Sequence, residues 1–171
     1  MKRIGLLSDT HSFLDEQVFT YFTECDEIWH AGDIGDETIA DRLEEFKPLK
    51  AVYGNIDAPS LRRRFPEDCR FECEGMQVWI THIGGYPGRY NKRVRAMLLE
   101  DAPDLFICGH SHILKIMPDK KHGLIHINPG ACGNHGFHKV KTLVRFTIKE
   151  GKLYDVEVIE LGRRGALPRE G

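Results

Sequence analysis

Two mixed β-sheets packed together with helices outside, a four-layer α/β arrangement, is the fold the sequence predicts, and three observations predict it. Strand-like and helix-like segments alternate over the first third of the chain, the pattern of a parallel sheet with crossover helices. Beyond residue 64 the chain turns β-rich, with hairpin signals at Glu74-Gly75 and Glu150-Gly151. No linker separates the two halves, so residues 1–171 are expected to form one domain with a shared core.

Residues 3–8 read as a buried strand, with Ile4, Leu6 and Leu7 around Gly5. Residues 9–12 are then a strand-to-helix loop, and Phe13, Val18, Phe19 and Phe22 lie on one side of a helical pattern. The unit repeats: residues 27–30 are strand-like, 31–36 a Gly-rich turn, and 37–46 helical with Ile39, Leu43 and Phe46 apolar. A third strand, residues 49–53, ends at Gly54. Three polar loops thus leave strand carboxyl ends, where parallel sheets bind ligands. Residues 70–73 and 77–81 form a hairpin, 90–99 the one later helix, and 105–108, 114–117 and 124–127 short strands. Residues 142–148 and 153–159 alternate apolar and polar, so the last hairpin should bury one face. Residues 162–171 carry no periodicity.

Lys+Arg number 24 against Asp+Glu 26, a formal charge of -2, which lacks the footprint of a dedicated nucleic-acid or anionic-membrane binder. The 41% hydrophobic and 29% charged residues exclude a disordered or collagenous chain. No apolar run approaches the ~20 residues of a membrane helix, and Met1-Lys2-Arg3-Ile4 leads straight into a strand, so no signal peptide is expected. Cys25, Cys69, Cys73, Cys108 and Cys132 are odd in number and form no C-x-x-C pair. They read as reduced thiols of a cytoplasmic protein.

Five loops, each following a strand, carry residues of metal-ligand type: Asp9-Thr10-His11, Gly32-Asp33, Gly54-Asn55, Thr81-His82 and Gly109-His110-Ser111-His112. Carboxylate, amide and imidazole donors without thiolate suit manganese, iron, nickel or zinc alike; manganese is the expected ion. Taken singly, each residue has a plainer role. Asp9 or Asp33 would serve as a helix N-cap, His82 as a hydrogen-bonded core histidine, and Asn55 as a turn residue.

In this order the blocks resemble those of the calcineurin-like metallophosphoesterases, particularly their small bacterial and archaeal phosphodiesterase branch, over Ile4 to about Ala131. The resemblance implies two divalent metal ions bridged by Asp33, with Asp9, His11 and His112 completing one site and Asn55, His82 and His110 the other. It further implies hydrolysis of a small phosphodiester by a metal-bridging hydroxide, with Asn55, Asp57 and His82 as catalytic residues. The larger phosphatases carry a histidine after the glycine-asparagine pair, where this chain has Ile56. Asp57 is then expected to orient a ligand histidine. His135 and His138 are the candidates to replace the missing acid.

Asn55, Arg62 and His135 are the expected substrate contacts, although the run Arg62-Arg63-Arg64 also fits a solvated face. His30, His122 and His126 read as core or surface residues, with His30 packing beneath Asp33. Asn128-Pro129-Gly130-Ala131 matches a family block with Ala131 in place of serine, and Ser12 stands where glycine is common. The resemblance also implies a homo-oligomer, although no residue pattern here fixes a symmetry.

The alternative is a non-catalytic protein-interaction scaffold of the same fold, as in the retromer subunit that resembles these enzymes. A scaffold could lose ligands, yet all seven are present here. A metallo-β-lactamase is excluded because Ile113, Leu114 and Lys115 follow His112 where an aspartate and a histidine are required. A nuclease is disfavoured by the near-neutral charge.

Overall fold

The computed structural model describes residues 1–165. The first half supplies β1 (Lys2–Leu7), α1 (Gln17–Tyr21), β2 (Glu27–His30), α2 (Glu37–Phe46), β3 (Leu49–Ala51) and α3 (Pro59–Arg64). There follow β4 (Asp68–Cys73), β5 (Met76–Thr81), β6 (Gly85–Tyr86), β7 (Arg89–Tyr90), α4 (Lys92–Glu100), β8 (Leu105–Ile107), β9 (Lys115–Asp119), β10 (Leu124–Asn128), β11 (Val140–Lys149) and β12 (Lys152–Arg163).

Two five-stranded sheets result, in the orders β12-β11-β1-β2-β3 and β4-β5-β8-β10-β9. Each contains three consecutive parallel strands, β1-β2-β3 in one and β5-β8-β10 in the other. The flanking pairings are antiparallel.

Alternation along the strands distributes apolar side chains into three layers of core. Ile4, Leu6, Trp29, Val144 and Phe146 of the first sheet meet Val78, Ile80, Leu105, Ile107 and Ile127 of the second. Burying each such side chain contributes ~1.5–3 kcal/mol, so this interface holds the sheets together. Leu7, Ile28 and Leu143 face the other way, under Val18, Ile39, Leu43 and Leu61 of the helices. Trp79 and Phe106 pack against Val94 and Leu98 of α4. The expected layers of helix, sheet, sheet and helix are therefore present.

The helices start where their caps dictate. Asp36 accepts a hydrogen bond from Thr38 N before α2, and Asn91 accepts one from Arg93 N before α4. That cap, with Arg89–Tyr90 paired to Gly85–Tyr86, moves the helix expected from residue 90 to Lys92. The third strand stops at Ala51 because, after Val52 N bonds His30 O, the chain turns toward Gly54. The strand expected at 114–117 is Lys115–Asp119, an edge strand that tolerates Pro118. β12 runs to Arg163, so residues 162–163 are strand rather than irregular, and the rest of that expected stretch beyond residue 165 lies outside the described residues. All five cysteines are free. Among the described residues no helix is long and apolar enough to cross a membrane.

Candidate metal centre

Loops leaving the carboxyl ends of β1, β2, β3, β5 and β8 carry the seven candidate ligands. Backbone hydrogen bonds fasten these loops to one another. Asp9 N donates to Gly32 O at 3.0 Å, His11 N to Asp33 O at 3.0 Å, and Gly109 N to His82 O at 2.9 Å. The loop after β10 joins them through Cys132 N to Ser8 O at 2.9 Å. Asp9, His11, Asp33, His110 and His112 all have positive φ, between 46° and 69°. L-residues adopt this region at a cost of roughly 1 kcal/mol or more each and keep it only where the surroundings enforce it. Glycine is required beside them: a Cβ at Gly54 would collide with the Asp33 carboxylate, and one at Gly109 with Ser8 Oγ and Asp9 Oδ2.

Two groups of potential ligands converge, Asp9 with His11 and His112, and Asp33 with His82 and His110, the donor atoms of each lying within 4.8 Å of one another. Asp33 Oδ2 lies 3.3 Å from His11 Nε2 and 3.2 Å from His82 Nε2, so one oxygen faces both groups. Asp9 Oδ1 lies 3.2 Å from His112 Nε2 and 3.8 Å from the Nε2 atoms of His11 and His82. Donors bonded to one cation at ~2.1 Å stand about 3.0–3.4 Å apart, which matches the shorter of these separations. Asp9 Oδ1, His11 Nε2 and His82 Nε2 are buried without a hydrogen-bond partner. Their donor chemistry and convergence fit divalent metal ions.

The other atoms of these side chains are held. Asp9 Oδ2 accepts from Ser8 Oγ at 2.7 Å and His110 N at 3.2 Å, and Asp33 Oδ1 accepts from Ile56 N at 3.1 Å. His82 Nδ1 donates to Ala31 O at 2.7 Å. A carbonyl can only accept, so Nδ1 carries a proton and Nε2 is the ring nitrogen turned toward the centre. His110 Nδ1 is 3.0 Å from Asn55 Oδ1, which ties Asn55 to the second group.

Burial alone would raise the Asp9 and Asp33 carboxyls. The surrounding imidazoles, His11 and His112 for Asp9 and His11 and His82 for Asp33, outweigh it and hold both well below the usual carboxylate range.

Asp57 corrects the sequence expectation. It accepts no hydrogen bond from a candidate ligand histidine; Oδ2 accepts from Gly54 N at 2.7 Å and Ile34 N at 3.2 Å, and Oδ1 from Gly35 N at 2.8 Å. It therefore fixes the backbones of the Asp33 and Asn55 loops against each other.

His30 does lie in the core and serves the same loops. Its Nδ1 accepts from Gly32 N at 3.0 Å, which leaves Nε2 to donate to Thr10 Oγ1 at 3.1 Å, and Thr10 Oγ1 donates to Ile34 O. Burial pushes its pKa down to about 4. Asn128 was legible only as part of a motif. It donates to Gly109 O and Ser111 Oγ and so orders the loop of His110 and His112.

His135 stacks on His11 with ring centroids 4.7 Å apart, and His138 meets His112 edge-on at 5.2 Å. The structure thus brings both to the centre's edge, with His138 Nε2 donating to Gly133 O. Arg62 lines a cleft of about 390 Å³ with Asn55, His82, Tyr53, Ile83 and Arg93. Its Nε and Nη2 donate to Asp57 O and Asn55 O, and its guanidinium lies over the Tyr53 ring. Arg64 instead pairs with Asp41 and Glu44 away from the centre.

Such a cluster, at the carboxyl ends of two packed sheets, defines a metal-dependent class of protein. Residues 1–151 match the calcineurin-like phosphoesterase superfamily domain, and the chain belongs to that family. A probable metallophosphoesterase of Methanothermobacter thermautotrophicus is 33% identical over 135 residues, 75% of this chain and 76% of that protein. One from Methanocaldococcus jannaschii is 31% identical over 134 residues, 75% of this chain and 67% of that protein. Among solved structures, an archaeal phosphodiesterase superposes with a TM-score of 0.74 at 20% identity, covering 93% of this chain and 99% of that one. Vps29 of Entamoeba histolytica, complexed with zinc, gives 0.72 at 16% identity over 93% of this chain and 98% of that one. At these identities the two structures speak for the fold.

Proposed function

We propose that this chain is a metal-dependent phosphodiesterase acting on a small phosphodiester. The observation that carries the reading is Asp33 Oδ2 placed between His11 Nε2 and His82 Nε2, one carboxylate oxygen serving two ligand groups. Asp9, His11 and His112 would hold one ion, and His82, His110 and Asn55 the other, with Asp33 shared. A metal pair, when bound, supplies an acidified water and Lewis-acid stabilisation of the phosphoryl oxygens.

The chain's own residues orient and bind. Asn55, whose Oδ1 lies 3.0 Å from His110 Nδ1 and keeps a second lone pair for an ion, has amide hydrogens left to donate to a phosphoryl oxygen. Arg62 uses two of its N–H groups on the backbone, and the others are available to an anion in the cleft. His135, exposed beside His11, meets the departing group. The free cysteines support a reducing, cytoplasmic setting. The scaffold reading has the Vps29 fold in its favour, but it gives no reason to keep three converging buried atoms without partners.

The test is hydrolysis of bis-p-nitrophenyl phosphate by chelator-stripped protein, with and without Mn²⁺, beside the monoester. Turnover of the diester only with metal is expected. Absence of turnover with Mn²⁺, Ni²⁺, Fe²⁺ and Zn²⁺ would leave the scaffold.

A further inference from the structure

We propose that the substrate carries an apolar organic group on each of its two ester arms, received by an apolar rim that the ligand loops themselves provide. This rests on the phosphodiesterase reading above. Three candidate ligands are each followed directly by an exposed isoleucine: Asn55 by Ile56, 47% exposed, His82 by Ile83, 37%, and His112 by Ile113, 62%. Adjacent Cα atoms are 3.8 Å apart, so a loop that turns its ligand inward holds the next side chain at the mouth. Leu114 and the fully exposed Phe137, two residues beyond His135, extend the series.

Five of the twelve exposed large apolar side chains among the described residues thus lie within two positions of a candidate ligand or His135. Isolated surface apolar residues need no explanation, whereas a ring of them around a charged centre marks a binding surface. The ring has two sides. Ile56 and Ile83 follow residues of the Asp33, His82 and His110 side, and Ile83 lines the 390 Å³ cleft beside Tyr53. Ile113 and Phe137 belong to the Asp9, His11 and His112 side, where Gly136, next to Phe137, lies against the His112 ring.

A phosphodiester has one ester arm for each side. It also carries a single negative charge, and the cleft offers little more. Arg93 is paired with Asp68 and Glu67, which leaves Arg62 as the one cation lining the cleft, among the described residues, without a carboxylate partner. A second phosphate would find no matching charge, whereas an aromatic or alkyl arm finds isoleucine and tyrosine.

The experiment compares p-nitrophenyl diesters that share the leaving group and differ in the other arm: methyl, phenyl or thymidin-5′-yl. With Mn²⁺-loaded protein, kcat/KM for the phenyl ester is expected to exceed that for the methyl ester by about tenfold or more, the effect of burying most of a ring, and to exceed that for the thymidinyl ester. In Ile83→Asn and Ile113→Asn proteins the phenyl-to-methyl ratio falls severalfold, while Val158→Thr, on β12, leaves it unaltered. Metal-dependent turnover with a ratio near one, or with the thymidinyl ester preferred, overturns the apolar rim and leaves the phosphodiesterase standing. Lack of turnover of all three overturns both. The substrate series on the unaltered protein decides the matter even where a variant folds poorly.

Discussion

At the strand ends, Nε2 of His11 and His82 is buried without a hydrogen-bond partner, and in the outer layer of the second sheet both ring nitrogens of His126 are equally unpartnered. The surroundings differ. His11 and His82 point at the same Asp33 oxygen from 3.3 and 3.2 Å, whereas His126 sits 5.8 Å from the Phe106 ring and 6.0 Å from that of Tyr90. Burial, with Lys115 adding and Asp119 opposing, pushes His126 down to about 4, so it stays neutral. An orphaned nitrogen by itself only costs stability. Orphans that converge with carboxylates form a site, because a cation then satisfies all of them together.

The largest effect that would break this contrast is at Asp33. Asp33→Asn is expected to lower metal-dependent turnover by more than about 100-fold, beyond the 10–100-fold typical of residues one step from a metal, as read by steady-state kinetics at saturating Mn²⁺. Retained turnover would remove the shared carboxylate from the account.

Asp57→Asn should act through the loops alone, weakening Mn²⁺ binding by about 10–100-fold in calorimetry, because an amide nitrogen would face backbone N–H groups that now donate to carboxylate oxygens. Unchanged affinity would make Asp57 a fold residue only.

At His126 the prediction is smaller and concerns stability. The folded protein keeps His126 neutral down to about 4, while the unfolded chain takes up the proton near the ordinary 6.5. Protons then favour the unfolded state between these values, and stability falls as pH drops through this window. The loss is about 2 kcal/mol between pH 7 and 5. His126→Leu should abolish that part of the pH dependence in denaturant titrations and leave metal binding intact. A variant with the same slope as the native protein would contradict the neutral, unpartnered state.

The centre was more legible in the sequence than the parts that support it. Ligand loops announce themselves because polar donors and glycines interrupt apolar strands, as at Gly32-Asp33 and Gly109-His110. Parallel topology then forces these loops to one end. The role of Asp57 is not legible because its partners are backbone N–H groups, which every residue carries and no sequence displays. The helix Pro59–Arg64 has a single buried apolar residue, Leu61, and six residues are too few for a period to emerge. Its proline at the first turn was the available signal. The isoleucines after the ligands were visible as residues, but their exposure is set by how each loop turns, as at the left-handed His112 before Ile113, which a pattern of apolar and polar positions does not encode.

The most direct measurement is the anomalous scattering of a Mn²⁺-soaked crystal. Two ions per chain are predicted, one among Asp9, His11 and His112, one among His82, His110 and Asn55, both bonded to Asp33 Oδ2. A single ion, or two ions that share no Asp33 oxygen, would contradict the account.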